Sequence, residues 1–126
     1  MEKYIGIRYA TVERFCKPIP TPDLKSVEDV ACKVTICPQN PSRLDTLLGL
    51  MSNGEEQSED CLRLSIFIPS RQSLLPVLVW VHGGAYLTGS GMYERYDASE
   101  IAAKGNIVVV NISYRMGALG FYYDKE

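Results

Sequence analysis

The sequence has one histidine, one tryptophan and three phenylalanines in 126 residues. A single histidine excludes the histidine clusters that hold catalytic metals and leaves one imidazole at most for acid–base work. The four cysteines, Cys16, Cys32, Cys37 and Cys61, include no C-x-x-C pair, so a structural zinc site is a poor reading. No apolar run approaches the roughly 20 residues that cross a bilayer. Lys and Arg number 13 against 15 Asp and Glu, a net charge of -2. That balance gives no basic surface for nucleic acid or an anionic membrane, and neither partner is expected. The start, Met1-Glu2-Lys3-Tyr4-Ile5-Gly6, lacks a basic stretch followed by an apolar one, so no secretory signal is read there. A cytoplasmic location with reduced thiols is the expectation.

What is present suits one soluble domain: 46% hydrophobic and 22% charged residues, without repeats or low-complexity tracts. The texture changes near residue 60. The first half is irregular and holds most of the prolines and three of the four cysteines. Its best helix signal is Arg43–Met51, with Ser42 as N-cap and Leu44, Leu47, Leu48 and Met51 at helical spacing. A weaker one spans Ser26–Cys32. The polar stretch from Ser52 to Asp60 reads as a solvated loop.

The second half is regular. Leu62 to Ile68 alternates, with Leu62, Leu64, Ile66 and Ile68 on one side, and predicts a strand with one face better buried. Pro76 to Val81 is apolar on both faces, the pattern of a central parallel strand. Asp97–Lys104 predicts a short helix that Gly105 is placed to stop. Ile107 to Tyr114 predicts a second strand buried on both faces. Together these make a βαβ unit, whose crossover should be right-handed. Two such strands need helices above and below, and the chain offers only one convincing helix near them. A large exposed apolar surface is therefore expected.

The chemistry sits in Trp80-Val81-His82-Gly83-Gly84-Ala85-Tyr86-Leu87-Thr88-Gly89, directly after a strand. Two glycines at a strand end let the backbone turn sharply and present successive N–H groups to one oxygen. Such donors stabilise the negative oxygen of a tetrahedral ester-hydrolysis intermediate. An HGGG-like segment after a strand is the oxyanion-loop pattern of esterases, and here Ala85 stands at the third glycine. The alternative is a Gly-Gly turn that only connects a strand to a loop.

The flanking motifs decide between the two. Gly6-Ile7-Arg8-Tyr9-Ala10, Arg14-Phe15 with Pro18, Ala31, Cys37-Pro38-Gln39 and Ser58-Glu59-Asp60-Cys61-Leu62-Arg63-Leu64 occur in order. The Trp80–Gly89 block and Asn111-Ile112-Ser113-Tyr114-Arg115-Met116-Gly117-Ala118-Leu119-Gly120-Phe121 follow. In this series the chain resembles the type-B carboxylesterase/lipase family, which includes the cholinesterases, across nearly its whole length. The resemblance implies the N-terminal part of an α/β-hydrolase fold, with a mixed, mostly parallel and incomplete sheet. Residues 1–126 would form a partial domain truncated at both ends, because only five residues precede the first matched segment.

The resemblance also implies roles. Gly84 and Ala85 match the oxyanion-hole N–H donors, and Gly83 shapes the turn. Glu59 matches a carboxylate that pairs with the arginine at Arg14. Cys37 and Cys61 match a pair that is disulfide-bonded in secreted relatives; with no signal peptide, two thiols are expected here. No G-x-S-x-G elbow occurs, and the downstream acid and histidine have no counterpart. Neither Gly89-Ser90-Gly91 as nucleophile elbow nor His82 as base fits the spacing or the partners required. Tyr86, Tyr93 and Tyr96 either line a site entrance or pack a loop.

The function implied is a carboxylic ester hydrolase acting on a small-molecule ester. This chain would supply its oxyanion hole but not its nucleophile or base, and would be inactive alone. The missing remainder of the fold is the partner implied. No cofactor or metal is expected. A non-catalytic binding or adhesion module and an inactive remnant are the other readings.

Overall fold

The computed structural model describes residues 1–21, 34–49, 55–69 and 74–124. Its framework is a four-stranded mixed sheet of β1 (Glu2–Arg8), β6 (Arg63–Ile68), β7 (Val77–Val81) and β8 (Val108–Ile112), in spatial order β1-β6-β8-β7. β1 and β8 flank β6 antiparallel, and β7 runs parallel to β8. Two short pairings lie outside it. β2 (Ala10–Thr11) pairs antiparallel with β3 (Ile19–Pro20), and β4 (Thr35–Ile36) pairs parallel with β5 (Glu56–Gln57). Residues 56 and 57, expected in a solvated loop, are thus part of a ladder. The helices are α1 (Arg43–Leu47), α2 (Ser99–Gly105) and α3 (Gly117–Phe121). Of the two early helices expected, α1 begins directly after Ser42 as read. The Ser26–Cys32 segment lies outside the described residues.

β8 is rich in β-branched residues and takes one of the two inner slots, with ladders on both sides. Among the described strands β7, read as a central strand, is the outer one, because β8 rather than β7 occupies the place beside β6. All five residues of β7 are exposed, Val77 at 62% and Trp80 at 43%. The apolar surface inferred from the strand pattern is concentrated there. β8 is buried on one face, through Val109 and Asn111, and only half-buried on the other.

α2 packs against β6 and β8, where Ala98, Ala102, Phe67 and Val109 form a buried cluster. That placement reverses the expected face of β6. Arg63, Ser65 and Phe67 are buried, while Leu64, Ile66 and Ile68 are half-buried. Burial here follows where α2 and the Met92 segment lie, not which face is richer in carbon. The cost of burying Arg63 is offset by its partners. Its guanidinium donates to Gly6 O at 3.0 Å and to the Asp60 carboxylate at 2.8 Å. Gly105 is the last residue of α2 rather than its cap: Asn106 takes the left-handed conformation (φ 47°) and donates its N–H to Ala102 O. Asn tolerates that region better than other side chains do.

A second cluster joins Ile36, Met92 and Tyr93, and a third joins Cys37, Cys61 and Met116, with Tyr114 packed on it. Cys37 and Cys61 are disulfide-bonded, their Cα atoms 4.9 Å apart. The expectation of two reduced thiols is corrected. The fold brings the two side chains together in a buried position, and Cys16 alone is free among the described cysteines.

Candidate active site

The chain leaves β7 into the loop of residues 82–89. Gly84 has φ 124°, and a Cβ there would lie 1.9 Å from Thr88 O. Gly89 has φ 106°, and its Cβ would lie 2.5 Å from both Gly83 O and His82 Nδ1. Only glycine fits either place. At Gly83 a Cβ would meet nothing within 4 Å, so the turn's need for glycine falls on Gly84 and Gly89 rather than on Gly83. Ala85 and Tyr86 follow in the left-handed region, at φ 52° and 62°.

The loop is tied at several points. Gly84 O accepts the N–H groups of Leu87 and Thr88 at 3.0 and 3.1 Å, and Tyr86 O accepts that of Gly117 at 2.7 Å. Gly84 O and the Ala85 N–H belong to one planar trans peptide, so they point in opposite directions. Holding that oxygen inside the turn therefore turns the Ala85 N–H outward. Among the described residues, the N–H groups of Gly84 and Ala85 have no acceptor. Both residues line a cavity of about 950 Å³, with Leu87, Met116 and Leu119 on its apolar side. Two unpaired donors on one wall of an apolar cavity suit an oxygen that gains negative charge.

The other expected residues fall as follows. Arg14 and Glu59 form an exposed ion pair, with Arg14 Nε 3.0 and 3.2 Å from the two carboxylate oxygens and a further contact through Nη2. The hydrogen bond from Arg14 holds the Glu59 carboxyl below its usual range, and Glu59 in turn raises the arginine. The pair lies outside the set of residues lining the cavity. Tyr93 and Tyr96 line the cavity, Tyr93 being buried. Tyr86 is exposed and packs on Phe121 with ring centroids 4.9 Å apart, on a separate shallow concavity of about 280 Å³.

His82 is buried beneath the loop, stacked on Tyr114 at 4.5 Å, with Nδ1 2.8 Å from Gly83 O. Ser90 is buried as well; its hydroxyl lies 3.2 Å from Ser113 Oγ and accepts the Met92 N–H at 3.0 Å. Neither is presented to the cavity as a base or nucleophile.

Gln39 was read only as part of a matched segment, with no role. Its Oε1 accepts the Gly89 N–H at 2.7 Å, and its Nε2 donates to Gly89 O at 3.0 Å and to Cys37 O at 3.1 Å. A polar side chain two residues after Cys37 was the only available signal. The contact spans 50 positions and has no local pattern.

A βαβ unit built into a mixed sheet, with an H-G-G loop at the end of its first strand, is the arrangement found in the α/β-hydrolase class. The family model described as the carboxylesterase family matches residues 1–126, and the chain belongs to that family. It is 43% identical over 119 residues to a probable N-octanoylanthranilate hydrolase of Rhodococcus erythropolis, covering 92% of this chain and 26% of that protein. It is 41% identical over 128 residues to the para-nitrobenzyl esterase of Bacillus subtilis, covering 98% of this chain and 26% of the relative. A solved PNB esterase structure superposes with a TM-score of 0.83 at 39% identity, over 97% of this chain and 26% of that one. The chain thus spans about a quarter of the length of the relatives it matches.

Proposed function

We propose that this chain provides the oxyanion hole of a serine carboxylic ester hydrolase whose nucleophile, acid and base lie in polypeptide outside residues 1–126. The observation that carries the reading is the pair of unpaired N–H groups, Gly84 and Ala85, on the wall of the 950 Å³ cavity. An ester carbonyl oxygen placed between them receives two hydrogen bonds. They strengthen as the carbonyl carbon is attacked and charge moves to oxygen. Each donor of this kind contributes on the order of 3 kcal/mol to the transition state. The apolar part of the lining suits a small organic ester. Family membership, and relatives named as an N-octanoylanthranilate hydrolase and a para-nitrobenzyl esterase, support the reading.

Sequencing the DNA on both sides of this reading frame tests it. The expected result is a continuing frame with a G-x-S-x-G elbow, an acid and a histidine. Its product should hydrolyse a chromogenic short-chain ester and take a fluorophosphonate label on serine, whereas residues 1–126 alone should do neither. A frame with no serine elbow, or a product that is not labelled, leaves a binding module and overturns the proposal.

A further inference from the structure

The Gly84 N–H has a carbonyl on the other side of its own peptide, Gly83 O. That oxygen lies 2.8 Å from His82 Nδ1. A carbonyl oxygen only accepts, so Nδ1 carries the proton and donates it. The peptide between Gly83 and Gly84 is trans and planar. Drawing its oxygen toward the buried imidazole therefore swings the Gly84 N–H to the opposite side. His82 does not line the cavity, and Gly84 does. We propose that His82 is a positioning residue: its Nδ1–H, by holding Gly83 O, aims the Gly84 N–H into the oxyanion hole. This rests on the ester hydrolase reading above.

Three further residues serve the same end. The imidazole is fixed from one side by the Tyr114 ring, stacked 10° from parallel, whose hydroxyl donates to His82 O at 3.0 Å. Burial, with the nearby Tyr86 adding to it, pushes the Tyr114 pKa up, so this hydroxyl keeps its proton. From the other side comes the bare Cα of Gly89, the only residue type that leaves room for the contact between His82 Nδ1 and Gly83 O. Gln39 then holds Gly89 by both its N–H and its carbonyl. The chain of contacts runs from Gln39 through Gly89 and His82 to the donor at Gly84. Each link fixes one direction of the next.

The test compares His82→Leu with His82→Asn in the protein as its gene encodes it. Asn places an amide N–H near the position of Nδ1; Leu places none. With a p-nitrophenyl ester, His82→Leu should lower kcat about 10- to 100-fold, part of the 10²–10³ lost with a whole donor, while KM stays within about twofold. A trifluoromethyl ketone, which forms a tetrahedral adduct, should lose affinity by the same factor. His82→Asn should recover most of both. Wild-type kcat in His82→Leu overturns the proposal, and so does an equal fall in both variants, which would mark a packing role.

A wild-type protein with neither turnover nor fluorophosphonate labelling would count against the hydrolase reading and not against the positioning. In that case the ring ¹⁵N shifts of His82, assigned by its disappearance in the Asn variant, decide. A proton on Nδ1 is expected, and a ring protonated at Nε2 alone overturns the proposal.

Discussion

Ala85 stands where a third glycine would complete the loop motif, in a conformation that side-chain-bearing residues seldom adopt. Its φ of 52° is followed by 62° at Tyr86. A left-handed L-residue costs about 1–2 kcal/mol, and glycine avoids that at the expense of about 0.5–1 kcal/mol of backbone entropy. Ala85→Gly should therefore raise stability by about 0.5–1 kcal/mol, read as a higher urea midpoint with unchanged slope. A lower midpoint would mean that the methyl group makes contacts worth more than the strain. The neighbouring position is the opposite case. At Gly84 the Thr88 carbonyl occupies the place of a Cβ, so no side chain is tolerated. Alternating demands of this kind are invisible in the letters Gly-Gly-Ala. The motif marked the loop, but the surrounding atoms decide which glycine is required, and Gly83 is not among them.

At the scale of elements, the start of α2 is held by Asp97. Its carboxylate accepts the Ser99 N–H and the Lys3 ammonium, each at 2.8 Å, and the Ser99 hydroxyl. It thereby ties β1 to α2. The Lys3 hydrogen bond, and then those from Ser99, lower its pKa from 3.8 to about 2. A lowered folded-state pKa means that the unfolded chain takes up the proton first as pH falls. The Asp97 contribution is thus complete above about pH 4, shrinks as pH falls and is lost through about pH 2. Glu59 acts in the same sense, and so does Asp60, where the pull of Arg8 and Arg63 outweighs burial. Urea denaturation followed from pH 5 to pH 2 should show stability falling with acid, and Asp97→Asn should flatten part of that slope. An unchanged slope in the variant would show that the Lys3–Asp97 contact does not persist in solution.

Elements with a strong local period were legible. β6, β7, β8 and α2 lie where alternation, apolar runs and helical spacing put them, within two or three residues. β1 was not read. Gly6 interrupts its alternation at a bulge, with φ 77° and a register shift between Tyr4 and Ile7. Nor could a local pattern show that β8 inserts between β6 and β7, since that order depends on pairings far apart in sequence. The buried face of β6 was misjudged for the same reason. Leu64 and Ile66 are the more apolar, but α2 lies over Phe67. For the site, the loop was marked by its glycines and the cysteine pair by the family resemblance, whereas the bonded state of that pair and the contacts of Gln39 depended on how distant segments fold together.

At the scale of the whole molecule, three small clusters are buried among the described residues and much of the sheet is uncovered. β7 presents Val77, Leu78, Val79, Trp80 and Val81 to solvent, and its outer edge has no partner among the described residues. No charge, proline or bulge within the strand protects that edge. Residues 1–126 on their own should therefore bind a hydrophobic dye such as ANS and self-associate. Val79→Lys should reduce both, measured by dye fluorescence and sedimentation velocity. A monodisperse wild-type chain that binds no dye would refute this.

The strand order also sets a timetable for synthesis. β6 and β7 leave the ribosome one after the other, yet neither pairs with the other; both pair with β8. β1 and β6 can join once residue 68 has emerged. β7 must wait until Ile112, its last partner, has been made. That is about 30 residues after its own end, or roughly 2–6 s at ordinary elongation rates. During that interval the most apolar strand of the chain is a solvent-exposed nascent segment, and the glycine loop that follows it lacks the Gly117 N–H that holds Tyr86 O.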